Sequence, residues 1–284
     1  MGFWRKVQEF TLEVFPGVQH PGKILFLVHL LAYLASIMGN ILIITITWAD
    51  HHLQTPMYFF LSSFSFSECC FITTVIPKLL AIFLVGRQSI YFAACFTQDF
   101  IFLFLGITVF FLMAILSLDQ YLNPRMCFLL VIACLALGFI FLVVPVVMLS
   151  HSSFCGSHII LHFFCNFGPL VYLSCSDTRY TEMLAFVLDL FILLTSLIIT
   201  IITYSNIVIT IVQLPSAKEK KKAFSTCSSH LIVLSLIYGS CVFIYMKPKQ
   251  MKGLDSNREA TLVNMVVTTL LNPVISTLQN KQVH

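Results

Sequence analysis

"MCFLLVIACLALGFIFLVVPVVML", residues Met126–Leu149, contains no charged side chain, no side-chain amide and no hydroxyl. As a helix, a run of this length crosses the roughly 30 Å of hydrocarbon in a bilayer. A helix is the default because in lipid every backbone N–H and C=O must be satisfied within its own segment. Six further apolar runs flank it: Ile24–Trp48, Met57–Phe83, Cys95–Leu118, Met183–Val212, Ala223–Met246 and Ala260–Gln279, the last the least apolar. No alternating ten-residue pattern suggests a membrane β-barrel. The expected fold is an all-α membrane protein, one seven-transmembrane helix bundle over residues 1–284.

Composition agrees. The chain is 58% hydrophobic and only 10% charged, with a mean hydropathy of +0.94. A soluble domain is about 45–50% apolar and about 25% charged, so this chain has too few charges to cover a water-facing surface. The net charge of +4 is mild and its basic residues are scattered, which argues against nucleic acid as a partner. The partner implied by composition is membrane lipid. No cleavable leader is evident, and the first span is long enough to target the chain itself.

Pro56 suits the first turn of the second span, where no proline N–H is needed. Pro77, Pro145 and Pro273 fall inside spans and are expected to kink them. Their freed carbonyls call for neighbouring helices, hence a packed bundle. The longest connection, Ser150–Glu182, holds Cys155, Cys165 and Cys175, and Cys95 opens the third span on the same face. Four cysteines on one side of a membrane read as an oxidised, extracytoplasmic set, with three pairings open to them. The lysines at 218, 220, 221 and 222 mark the opposite, cytoplasmic face. This orientation puts the N-terminus outside. A bare count of Lys and Arg gives the reverse, because ten would lie outside and six inside.

Several stretches carry a resemblance: Gly39-Asn40, "PMYFFLSSFSFSECC" from Pro56, "HFFCNFGPLVYLSCSDT" from His162, "KAFSTCSSHL" from Lys222 and "LNPVISTLQN" from Leu271. In this order, over nearly the whole chain, they resemble the vertebrate olfactory receptors, a branch of the rhodopsin-like G-protein-coupled receptors. The resemblance implies a plasma-membrane receptor with an extracellular N-terminus. It implies a small hydrophobic odorant as ligand and a stimulatory heterotrimeric G protein as partner. It implies disulfides Cys95–Cys165 and Cys155–Cys175, with Cys95–Cys175 as the alternative.

The resemblance places the ligand between helices 3, 5 and 6. Phe102, Leu103, Gly106 and Ile107 stand at i, i+1, i+4 and i+5 on helix 3 and are expected to share a face. Tyr238 would add a hydroxyl from helix 6, and Gly106 would leave room. Against this, a chain with 28 phenylalanines has many such faces that serve only packing. Glu68 lies mid-span, where a carboxylate is costly and turns inward. It matches an acidic position where related receptors hold sodium, with Asn40 and Asn272 as neighbours. A structural polar cluster is the preferred reading. His158 and His162 have a spacing that can bind metal, but loop histidines without metal are the better reading. No GxSxG, HExxH or P-loop pattern occurs, so the chain is not read as an enzyme, and no cofactor is called for. No internal repeat or set of paired buried charges supports a transporter or channel.

Departures from the family pattern cluster on the cytoplasmic side. Asp119-Gln120-Tyr121 stands where the family has Asp-Arg-Tyr, and glutamine lacks the charge and donor fork of arginine. Leu122 runs directly into Asn123-Pro124-Arg125, which leaves almost no second inner loop. Leu135 replaces a usual tryptophan. In Asn272-Pro273-Val274-Ile275-Ser276 the serine replaces the tyrosine that moves on activation, and Gln279 replaces an arginine. The chain ends at His284, before the expected amphipathic helix. No N-x-Ser/Thr acceptor is present. The second reading is therefore a degenerate receptor-like protein that folds but does not couple.

Overall fold

The computed structural model describes residues 7–13, 22–49, 56–116, 124–155 and 158–213, and scattered positions from 215 to 239. The order is β1 (Glu9–Glu13), α1 (Gly22–Ala49), α2 (Pro56–Val85), β2 (Arg87–Tyr91), α3 (Phe92–Leu116), α4 (Pro124–Ser150), β3 (Ile159–Ile160), α5 (Phe167–Leu173) and α6 (Arg179–Gln213). Among the described residues, α1, α2, α3, α4 and α6 are long and apolar enough to cross a membrane. The chain is a multi-pass membrane protein. The sixth expected span falls on the scattered positions, and the seventh lies outside the described residues.

The helices are inside-out relative to a soluble bundle. Leu27, Leu31 and Met38 of α1, Phe128, Phe139 and Ile140 of α4, and Phe191, Ile198 and Ile202 of α6 are exposed. Ser36, Asn40, Ser65, Glu68, Thr108, Ser196, Thr200 and Thr203 are buried. Lipid tails are as apolar as leucine, so hydrophobicity does not sort helix faces here. Polar groups turn inward and small residues let backbones approach. Hydroxyls are satisfied within their own helices: Thr200 Oγ1 donates to Ser196 O at 2.8 Å, and Thr108 Oγ1 donates to Phe104 O at 2.8 Å.

Helix α3 is the hub, packed against α2, α4 and α6. At Gly138 of α4, an added Cβ would lie 3.3 Å from Thr108 Oγ1 and 3.4 Å from the Phe104 carbonyl. The missing side chain is what lets α4 lie this close to α3. Helices α2 and α4 continue through Pro77 and Pro145.

One end of the bundle carries a three-stranded sheet that the all-α expectation did not include. Its order is β2-β1-β3. Strand β1 runs antiparallel to β2, with Phe10 opposite Ile90, and parallel to β3, with Leu12 opposite Ile160. Thr11 N donates to His158 O, and Phe92 N donates to Gln8 O, each at 2.8 Å. Phe10 and Leu12 point into a core shared with Leu79, Phe96, Phe163, Phe164 and Leu170. The N-terminal strand thus lies across the end of the bundle as the sheet's central strand.

Candidate ligand-binding site

The site is built beneath this cap. Cys95, buried at the start of α3, is joined to Cys165 (Cα–Cα 5.3 Å), and Cys155 is joined to Cys175 within the long loop (Cα–Cα 5.9 Å). The first link clamps the loop onto α3 and the second folds the loop on itself. Asn166 then caps α5 by accepting from Gly168 N at 3.3 Å, which sets Phe167 over the interior.

Gln98 adds a third fastening that sequence inspection missed. Its Nε2 donates to Thr74 O at 2.8 Å, and its Oε1 accepts from Cys165 N at 3.2 Å. Thr74 lies on α2, so one amide joins two helices and the loop. Gln98→Ala leaves the Cys165 N–H without this acceptor and should cost about 1–3 kcal/mol. A lowered thermal midpoint of the purified protein is the expected readout. An unchanged midpoint means solvent or a neighbour replaces the amide.

Below Phe167 lies a cavity of about 50 Å³ between α3, α4 and α6, lined by Leu103, Ile107, Phe141, Pro145, Asp189 and Ile192 among others. Leu103 and Ile107 are one turn apart on α3 and share this wall. Phe102 and Gly106 do not join them among the described residues. Phe102 stacks on Phe71 at 4.7 Å and meets Phe164 at 4.4 Å. An added Cβ at Gly106 would contact the Phe71 ring at 3.6 Å. Neighbouring residues on a helix point about 100° apart, so the expected four-residue face divides into a stripe toward α2 and a stripe toward the cavity.

Tyr238 lies deeper and outside the cavity wall. Its hydroxyl is 3.3 Å from Thr200 Oγ1 and its ring 5.8 Å from Phe110. Glu68 and Asn40 are both buried, and Asn40 Nδ2 donates to Ser36 O at 3.1 Å on its own helix. Asp119, Gln120, Tyr121, Asn272 and Pro273 lie outside the described residues. His162 is buried and stacks on Phe163 at 4.4 Å, a packing role. Among the described residues no three His, Cys, Asp or Glu side chains come together as a metal site. Of the α4 wall residues, Pro145 was marked only as an in-span proline, and Phe141 was not singled out from sequence. Asp189 carried a usable signal, because it is the single charged residue between Met183 and Val212.

Comparison with known proteins follows the same lines. The family profile described as "Olfactory receptor" matches residues 29–284. Olfactory receptor 6E1 of Mus musculus is 45% identical over 290 residues, spanning 98% of this chain and 93% of that protein. Olfactory receptor 6C2 of Homo sapiens is 42% identical over 289 residues, with the same coverage of each. Squid rhodopsin, a crystal structure, superposes with a TM-score of 0.67 at 18% identity, over 92% of this chain and 78% of that one. At that identity the likeness concerns the fold. A capped helical bundle in the membrane, these motifs in this order and near full-length relatives together place the chain in the olfactory receptor family, on the rhodopsin-like seven-helix fold.

Proposed function

We propose that this chain is an odorant receptor of the plasma membrane, with its N-terminus and disulfide-bearing end outside. It binds a small hydrophobic ligand in the cavity under Phe167 and signals through a stimulatory heterotrimeric G protein. The observation that carries this reading is the cavity itself. It is mostly apolar, holds one acidic side chain and sits under a loop tied down at Cys95 and Gln98. A site of that kind suits a ligand held by shape and one polar contact. Leu103 and Ile107 serve as its α3 wall. Ligand binding biases the helices between two packings, and the G protein reads the result.

The test is odorant-evoked cAMP in cells that display the receptor at their surface, against a broad odorant panel. Correct surface display with no response to any odorant contradicts the reading. Gln120 and the short link to Arg125 bear on coupling. Gln120→Arg with a lengthened inner loop should raise the cAMP response at least tenfold, because arginine restores a permanent charge and a planar donor fork. An unchanged response shows that these two departures do not limit signalling.

A further inference from the structure

We propose that hydrophobic ligands reach the cavity under Phe167 from the bilayer, through a portal between α4 and α6 gated by the Phe141–Phe191 pair. This rests on the odorant-receptor reading and adds its route of entry.

Among the described residues, the outer end of the cavity is closed. Phe167 lines it there, and the wall residue Val146 packs in the same core as Phe10, Leu12, Phe163 and Phe164. Phe10 and Leu12 belong to β1, the central strand of the cap, and both are buried. The long loop is fastened to α3 at Cys95 and by Gln98. A ligand arriving from water meets a packed core on this side.

The side toward lipid differs. Ile107 of α3, Leu142 of α4 and Ile192 of α6 form a buried part of the wall. Phe141 of α4 and Ala185 and Leu188 of α6 also line the cavity, yet they are only half-buried. Beside them Phe191 is 54% exposed, and its ring meets the Phe141 ring edge-on at 5.8 Å. The aromatic pair therefore stands where the wall reaches the lipid-facing surface. Phe141 is wall and gate at once, so its displacement both admits a ligand and widens the cavity. Widening is required, because a cavity of about 150 Å³ holds benzene and this one is about 50 Å³.

Depth and helix chemistry agree. At 1.5 Å per residue, Phe141 lies roughly 14 Å along α4 from Ser150, and Phe191 roughly 18 Å along α6 from Arg179. Both rings thus sit within the hydrocarbon, which is about 30 Å thick. Apolar ligands concentrate at that depth, since each methylene raises transfer out of water roughly fourfold. Pro145 has no N–H to offer the Phe141 carbonyl, so α4 lacks one helical hydrogen bond at the gate.

The experiment uses purified full-length receptor in lipid nanodiscs. The probe is a phosphatidylcholine with a phenyldiazirine midway along one acyl chain, and photolabelled residues are read by mass spectrometry. A probe tethered to lipid reaches the interior only from the bilayer. It should label Ile107 and Leu142 as well as Phe139 and Ile198, which face lipid. Phe191→Ala should raise the ratio of interior to lipid-face labelling at least threefold, and Phe191→Trp should lower it at least threefold. Labelling at Phe139 and Ile198 reports that each variant keeps its fold. Absence of label at Ile107 and Leu142 in both the unaltered and Phe191→Ala proteins overturns the proposal. So does a ratio that neither variant moves. The readout involves no odorant, so either failure leaves the odorant-receptor reading to be decided by the cAMP response alone.

Discussion

Cys95→Ser should remove the receptor from the cell surface. The disulfide joins residues 70 positions apart. In the chain-entropy view, closing a loop of that length stabilises the folded state by about 4 kcal/mol. Marginal proteins have about 5–15 kcal/mol in total. Inserted helices already restrict the unfolded chain in the membrane, so the entropic figure is an upper bound. The structural consequence is broader than entropy. Cys165 sits beside Phe163 and Phe164 in the core that also holds Phe10 and Leu12, so releasing it loosens the sheet and the cavity roof together. Surface staining of cells expressing Cys95→Ser or Cys165→Ser should fall below about a tenth of the unaltered level. Cys155→Ser, which opens a loop of separation 20, should cost about 3 kcal/mol by the same reasoning and leave more protein displayed. Surface display of Cys95→Ser at the unaltered level would show that Gln98 and the sheet hold the loop unaided.

Leu103→Trp should abolish odorant response while leaving the protein at the surface. The cavity is about 50 Å³, and the indole adds more bulk than that space takes without displacement. Overpacking costs about 1–3 kcal/mol, which the bundle can tolerate. Ligand affinity is then lost because the space is filled, and the dose for half-maximal cAMP should rise at least a hundredfold. Ile107→Trp should behave alike from the next turn. Phe102→Leu is the counterpart on the other stripe. It trims the stack on Phe71 and Phe164 and should lower the thermal midpoint with little change in odorant dose. If Phe102→Leu shifts the dose and Leu103→Trp does not, the ligand lies on the α2 side of α3, and the cavity under Phe167 is only a packing void.

The candidate site was partly legible in the sequence. The α3 spacing singled out Leu103 and Ile107 as neighbours on one face, and the structure brings them to one cavity. The same spacing grouped Phe102 and Gly106 with them, because sequence does not say which arc of a helix meets which neighbour. Phe141 and Leu142 of α4 carried no signal, since every face of that helix is apolar and no contrast marks the inner one. Gln98 was invisible for a different reason. A glutamine one turn into a span looks the same whether it meets solvent, lipid headgroups or, as here, Thr74 and Cys165.

The sequence by itself determined that this chain crosses the membrane in helices and belongs with the olfactory receptors. Hydropathy is a local property, and the motifs that carry the family are contiguous. Only the tertiary structure decided that Glu9–Glu13 becomes the central strand of a cap between Arg87–Tyr91 and Ile159–Ile160. Those five residues lack partners nearby in the chain, and a strand gains its hydrogen bonds only from segments that folding brings alongside. It also decided that Asp189 faces the inside of the bundle, beside the wall that Leu103 and Ile107 form. Composition shows that a lone carboxylate in a span is costly, but only the packing of α3, α4 and α6 shows where it turns to reduce that cost.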